Sequence, residues 1–129
     1  MQTPSNLKYS KEHEWVRLEA NRAVVGITDY AQSQLGDIVF VELPAVGATI
    51  VSGKRFSVVE SVKAVSDIFA PVGGTIVAVN EALNDAPEKV NQDPYGEGWI
   101  AIVELAESSE LAALMDDKAY AEQVAKGGH

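Results

Sequence analysis

The ten residues from Val58 to Asp67, VVESVKAVSD, hold one lysine, Lys63, in a run of valines and small side chains. The nearest basic residues are Arg55 before it and Lys89 after it. An isolated amine has three chemistries open to it. It can be a solvated surface charge, the default for an exposed lysine. It can be a Schiff-base nucleophile, which needs a pKa lowered by burial or by a cationic neighbour. Glu60 and Asp67 act in the opposite sense, because carboxylates stabilise the ammonium. It can be a site of covalent attachment, which needs a presented amine, small flanking residues and a rigid base. Ser61, Ala64 and Ser66 are small, and Val58, Val59, Val62 and Val65 suit the anchoring of strands beneath.

Position decides among these, and it follows from the surrounding elements. Short Val/Ile-rich runs occur at His13–Leu18, Arg22–Ile27, Asp37–Leu43, Thr49–Val51, Phe56–Val62, Val65–Phe69, Thr75–Val79 and Trp99–Glu104. Gly, Pro and Ser turns punctuate them, and such spacing predicts an all-β sandwich or barrel. Val46-Gly47-Ala48-Thr49-Ile50-Val51 recurs as Val72-Gly73-Gly74-Thr75-Ile76-Val77, 26 residues later, with five of six positions matching. The midpoint of the copies falls at Ser61–Val62, and Gly53 and Gly73 each lie ten residues from Lys63. Two similar β-units about a pseudo-twofold would put the lysine at a hairpin tip. Its strands would run over 54–62 and 64–72, with the turn at Val62-Lys63-Ala64. The turn lacks the Asn-Gly signal of two-residue hairpins, so symmetry carries this placement.

Helical signals are few. Thr28 is placed to N-cap a short helix through Leu35, with Gly36 ending it. Asn80 is placed to cap one turn at residues 81–83. Leu111, Leu114, Met115, Lys118 and Ala119 share one face of a 3.6-residue period, which predicts an amphipathic helix over 109–125. Residues 1–8 read as a loose lead-in, and 126–129 as a fraying end.

The chain has 129 residues, a length that suits one domain with its own core. We expect a single domain over 1–129, its core spanning about 7–106. Ten Lys and Arg against 19 Asp and Glu give a formal charge of -9, which repels phosphate backbones and excludes nucleic acid as a partner. It favours docking to basic protein surfaces. The chain has no cysteine, so disulfides, zinc–thiolate sites and thiol nucleophiles are excluded. No stretch reads as a signal peptide, transit peptide or membrane span, which leads to a cytoplasmic bacterial protein or, second, a mature mitochondrial one. His13 is expected to be a packed strand histidine rather than a general base. Trp15 and Trp99 are expected in the core or on a cleft wall.

Glu60-Ser61-Val62-Lys63-Ala64 resembles the lipoylation motif of lipoyl domains. Around it, Lys8 to Val16 (KYSKEHEWV), Val25 to Gln32 (VGITDYAQ), Leu35 to Pro44 (LGDIVFVELP), Ser66 to Pro71 (SDIFAP) and Asn91 to Trp99 (NQDPYGEGW) resemble, in order, the signatures of the glycine cleavage H-protein family. The resemblance spans about residues 7–125. It implies a barrel-sandwich hybrid of two antiparallel sheets with short helices and a C-terminal helix. It implies a monomeric carrier and not an enzyme, with lipoate attached to Lys63 by an amide. The implied partners are the glycine decarboxylase P protein, the aminomethyltransferase T protein, the dihydrolipoamide dehydrogenase L protein, and a lipoate-protein ligase or lipoyl/octanoyl transferase. In that family the loaded arm tucks into a cleft, and Glu14 and Asp67 match the carboxylates expected to hold its cationic aminomethyl group.

Rival readings fare less well. A lipoyl domain of a 2-oxoacid dehydrogenase would ordinarily bring a Pro/Ala-rich linker, and a biotin carrier would flank its lysine with methionines; Val62 and Ala64 stand here instead. A non-carrying interaction protein, or a donor relaying lipoyl groups, is the alternative from another class. An independent enzyme ranks last, because no nucleophile–base pair or phosphate-cradling loop is present.

Overall fold

The computed structural model describes residues 3–127. Strands β1 (Lys8–Tyr9), β2 (Glu14–Glu19), β3 (Arg22–Ile27), β4 (Ile38–Glu42), β5 (Thr49–Ile50), β6 (Arg55–Ser61), β7 (Val65–Phe69), β8 (Gly74–Val79) and β9 (Ala101–Leu105) form two antiparallel sheets. The six-stranded sheet runs β1-β2-β3-β9-β8-β5, and the three-stranded one runs β4-β6-β7. This is the two-sheet architecture that the strand spacing predicts. Side chains alternate in β6: Ser57, Val59 and Ser61 are buried, while Val58 and Glu60 are half-buried on the other face. Val25, Ile27, Val41, Val59, Ile76 and Val103 lie within the main core. A second cluster of Leu7, Tyr9, Trp15, Val24 and Tyr120 packs separately from it.

The internal repeat has a structural meaning, since its two copies pair with each other. Thr49 stands opposite Thr75 and Ile50 opposite Gly74. The Gly47 amide donates to the Ile76 carbonyl at 2.8 Å, and the Ile76 amide to the Ala48 carbonyl at 2.9 Å. Between the copies, Glu60 faces Val65, Val59 faces Ser66 and Val58 faces Asp67. Both pairings therefore centre on the Ser61–Lys63 stretch. The hairpin strands are shorter than 54–62 and 64–72, and a register shift between Arg55 and Ser57 interrupts their pairing before it resumes at Arg55 opposite Phe69. Gly74, at φ +155°, is the position that most needs glycine, since a Cβ there would lie 2.0 Å from the Glu104 carbonyl oxygen.

Helix α1 (Asp29–Leu35) follows its sequence signals. The Thr28 hydroxyl accepts the Ala31 amide at 3.2 Å, and Gly36, at φ +81°, closes the helix with its amide on the Gln32 carbonyl. Other elements differ from expectation. The 109–125 segment is not one helix. It is a 3₁₀ helix over Ser108–Ala113, an extended break, and α4 (Asp117–Ala125) capped by Asp116. Met115 exchanges two backbone hydrogen bonds with Tyr9, of 2.8 and 2.7 Å, and thereby covers the β1 edge. Leu111 and Leu114 pack on the main core, whereas Met115 and Val124 pack on the second cluster. One straight helix could not serve both. Asn80 is not a cap: its amide group donates to the Glu97 and Trp99 carbonyls at 2.7 and 2.8 Å. The short helices nearby are α2 (Ala82–Asp85) and α3 (Lys89–Gln92), the latter unanticipated in sequence. The expected lead-in over 1–8 ends in Lys8, the first residue of β1; its residues 1 and 2, and residues 128 and 129 of the expected fraying end, lie outside the described residues.

Candidate carrier site

Lys63 is exposed in the turn between β6 and β7. Ser61 builds this turn. Its amide donates to the Ala64 carbonyl at 2.8 Å. Its Oγ accepts the Lys63 amide at 3.2 Å and the Ala64 amide at 3.0 Å. A short hydroxyl that satisfies two turn amides rigidifies a bend that Asn-Gly chemistry does not supply. The Val62 amide donates to the Asp37 carbonyl at 3.0 Å, tying the tip to the segment entering β4. The lysine stem passes over Gly36, where a Cβ would lie 3.6 Å from Lys63 Cε. The backbone beneath the amine is thus held from both sides, while Ala64 and the amine itself face solvent.

Two clefts lie beyond the hairpin. The first, of about 260 Å³, is bordered by Leu35, Gln34, Ile68 and Asp67, with Ser66 and Tyr30 at its walls. The second, of about 560 Å³, is bordered by Ser10, Glu14, Phe69, Leu114 and Met115. Glu12 borders both. Glu14 is 1% exposed, yet its carboxylate reaches the second cleft. One oxygen accepts the Ser10 hydroxyl, and the other accepts the Phe69 amide at 3.3 Å. Burial pushes the carboxyl pKa up to about 7, and these two hydrogen bonds pull partly against it.

The structure separates the two carboxylates that sequence reasoning paired. Asp67 is exposed on β7, 3.7 Å from Arg55, and borders the first cleft. Glu14 sits in the second. Glu60 is half-buried on the sheet's outer face, away from both clefts, and Val62 is 70% exposed beside the lysine. Sequence reasoning missed Ser10, the hydroxyl that fixes Glu14, and Asp37, whose carbonyl anchors the tip. Ser10 had a signal in its spacing of four from Glu14, which a turn brings together through the Ser10 amide and Glu14 carbonyl at 2.9 Å. Asp37 acts through its backbone and left none.

His13 is no strand residue. It takes φ +73° in that same turn, and its Nδ1 lies 2.7 Å from the Tyr120 hydroxyl. That hydroxyl is also 2.7 Å from Thr28 Oγ1, so His13 joins a structural latch between α4 and the start of α1. Trp15 is fully buried, and its indole donates to the Pro94 carbonyl at 2.9 Å. Trp99 packs against the same cluster.

Two small antiparallel sheets about a pseudo-twofold, with one lysine on the central hairpin, define a barrel-sandwich carrier domain. The Glycine cleavage H-protein family model matches residues 7–127. The chain is 58% identical over 120 residues to the glycine cleavage system H protein of Brevibacillus brevis, covering 93% of this chain and 95% of that one. It is 54% identical to that of Geobacillus thermodenitrificans over 127 residues, covering 98% and 100%. The crystal structure of a glycine cleavage system H protein from Mycobacterium marinum superposes with a TM-score of 0.87 at 41% identity, covering 95% of this chain and 98% of that one. The chain belongs to the glycine cleavage H-protein family. It is therefore a component of the glycine cleavage system: a non-catalytic, lipoyl-carrying shuttle for aminomethyl groups.

Proposed function

We propose that Lys63 is the lipoyl attachment point and that Glu14, in the second cleft, receives the cationic cargo. The observation that carries this reading is the exposed Lys63 amine on a turn whose two amides are held by Ser61. The residues fit the group. The amine is open to acylation, Ala64 is small, and Leu35, Ile68, Phe69, Leu114 and Met115 offer apolar walls to an alkyl arm. When bound, the lipoyl group supplies the redox-active sulfur pair that takes up and releases the aminomethyl group.

The chain's own residues present, shelter and release. Ser61 and the Asp37 carbonyl hold the base of the arm still, which limits the volume its free end explores. Leu114 and Met115 wall the Glu14 cleft, lowering the dielectric around the carboxyl. The Glu14 oxygen on the Phe69 amide has lone-pair capacity left for a charge-assisted hydrogen bond from an ammonium. Asp67 is assigned the nearer groove, where it borders the path from Lys63 toward Glu12. Docking then alternates among the P, T and L proteins, and a lipoate-protein ligase or lipoyl/octanoyl transferase installs the arm. The net charge of -9 supports binding to basic partner surfaces. Bacterial relatives support a cytoplasmic setting. We assign the chain as one carrier unit that works as a monomer.

The test is intact mass with peptide mapping after incubation with lipoate, ATP and a lipoate-protein ligase. One lipoyl group on Lys63 is expected. Lys63→Ala should fold normally, with stability changed by about 0.5 kcal/mol or less, and should lose all transfer. Full glycine cleavage with Lys63→Ala and the three partner proteins would overturn the assignment.

A further inference from the structure

The outer face of the three-stranded sheet carries more exposed apolar surface than strand alternation accounts for. A register shift between Ile38 and Phe40 interrupts the pairing of β4 with β6. Such a bulge adds a residue to one strand and re-aims side chains. Val39 and Phe40 are both turned to solvent, 53% and 47% exposed, where alternation would bury one of them. Phe40 stands across from Glu60, and Glu60 across from Val65, which is 66% exposed. The next row is Glu42, Val58 and Asp67. The face is therefore an apolar strip with Glu60 inside it and Glu42 and Asp67 at its rim, and it ends at the Lys63 turn. Apolar patches rimmed by polar groups mark interaction sites.

We propose that Val39, Phe40 and Val65 form the surface by which the enzyme that acylates Lys63 grips the hairpin, through an apolar recess rimmed by Lys or Arg. This rests on Lys63 being the attachment point. Two arguments select this occupant. The first is reach. Enzymes that act on the far end of the arm can dock an arm's length from the hairpin. The acylating enzyme bonds Nζ itself, on a four-carbon stem, so it must contact what flanks the turn. In the step it runs, the Lys63 ammonium loses a proton and its nitrogen attacks the carbonyl of an activated acyl donor, a phosphoric mixed anhydride or a thioester. The C–N bond forms, and the C–O or C–S bond breaks with its electron pair leaving on phosphate or thiolate. The nitrogen then sheds a second proton to give the neutral amide. The second argument is charge. Glu60 lies within the strip and Glu42 at its rim, while Asp67 is already paired with Arg55 at 3.7 Å, so on a chain of net charge -9 basic rim residues on the partner complement the two glutamates.

The experiment measures initial rates of acylation by a lipoate-protein ligase, with lipoate and ATP, across apoprotein concentrations. Phe40→Ser and Val65→Ser are compared with the wild type and with Leu18→Ser, a 50% exposed apolar residue on the other sheet. Circular dichroism checks each fold, and Val39→Ser replaces either strip variant if it does not fold. Each of these strip variants should raise the KM for apoprotein about tenfold while kcat holds within about twofold, as for loss of an interface anchor. Leu18→Ser should match the wild type. Wild-type protein not acylated on Lys63 would overturn the attachment assignment itself. Wild-type acylation with unchanged KM in both strip variants would overturn only the docking surface. Normal acylation with impaired P-protein transfer would give the face to another occupant and equally overturn the proposal.

Discussion

The Lys63 amide donates to the hydroxyl oxygen of Ser61, two residues earlier, at 3.2 Å. The lysine is therefore held at its backbone and free at its amine. Ser61→Ala removes the acceptor for both the Lys63 and Ala64 amides while leaving the Ser61 amide bonded to the Ala64 carbonyl. Losing such hydrogen bonds costs about 1 kcal/mol each. The expected outcome is a folded protein whose Lys63 and Ala64 amides exchange with solvent roughly tenfold faster or more, with slower acylation of Lys63. Hydrogen exchange resolved at these two amides checks it. Unchanged exchange would mean that the hydroxyl does not stiffen the turn.

The lysine's place at a hairpin tip was legible because symmetry wrote itself into residue types. Thr49 and Thr75 occupy the same position of a six-residue repeat, and they stand opposite each other in the sheet. Thr28 and Gly36 bracketed α1 for an equally local reason, since capping uses side-chain and backbone chemistry within one turn. The C-terminal segment was misread because its break is tertiary. Nothing in the Leu111–Ala119 period announces that Met115 pairs with Tyr9, more than 100 residues away in sequence. Glu14 and Asp67 were both expected beside the arm, and the structure puts each on the border of a cleft. That they border two different clefts, with Glu12 common to both, depends on how the Ser10–Glu14 turn meets β7 at Phe69, which sequence spacing does not encode.

Tyr120 couples three elements through one hydroxyl, 2.7 Å from both Thr28 Oγ1 and His13 Nδ1, while its ring stacks on Tyr9 at 4.7 Å. Burial pushes its pKa well above the ordinary tyrosine value, so the group stays a neutral hydroxyl at physiological pH. Tyr120→Phe keeps the stack and deletes the hydroxyl. The Thr28 hydroxyl still accepts the Ala31 amide, so helix α1 should persist. The expected cost is about 1–3 kcal/mol, the range for removing a buried polar partner. Urea unfolding measures it, and a loss below about 0.5 kcal/mol would show that the latch contributes nothing beyond packing.

Glu14 makes the protein's stability depend on pH in an unusual direction for a carboxylate. Its folded-state pKa is raised, mainly by burial, from 4.5 to about 7. Between those values the folded state binds the proton that the unfolded state has lost. The stabilisation from this group is full below about pH 4.5, falls as pH rises, and is gone above about 7. Glu14→Gln mimics the protonated form, so wild-type stability relative to that variant should decline by on the order of 3 kcal/mol across this window and then level off. An ammonium arriving in the cleft acts in the opposite sense, since it favours the ionised carboxylate. Retention of the cationic cargo should therefore strengthen as pH rises through about 7 in the wild type and show no such rise in Glu14→Gln. Urea unfolding from pH 4.5 to 8, paired with the lifetime of the aminomethyl-loaded protein at each pH, reads both effects. A flat stability difference would remove the buried ionisation. A sloping difference with a pH-independent lifetime would leave Glu14 a buried acid that does not meet the cargo.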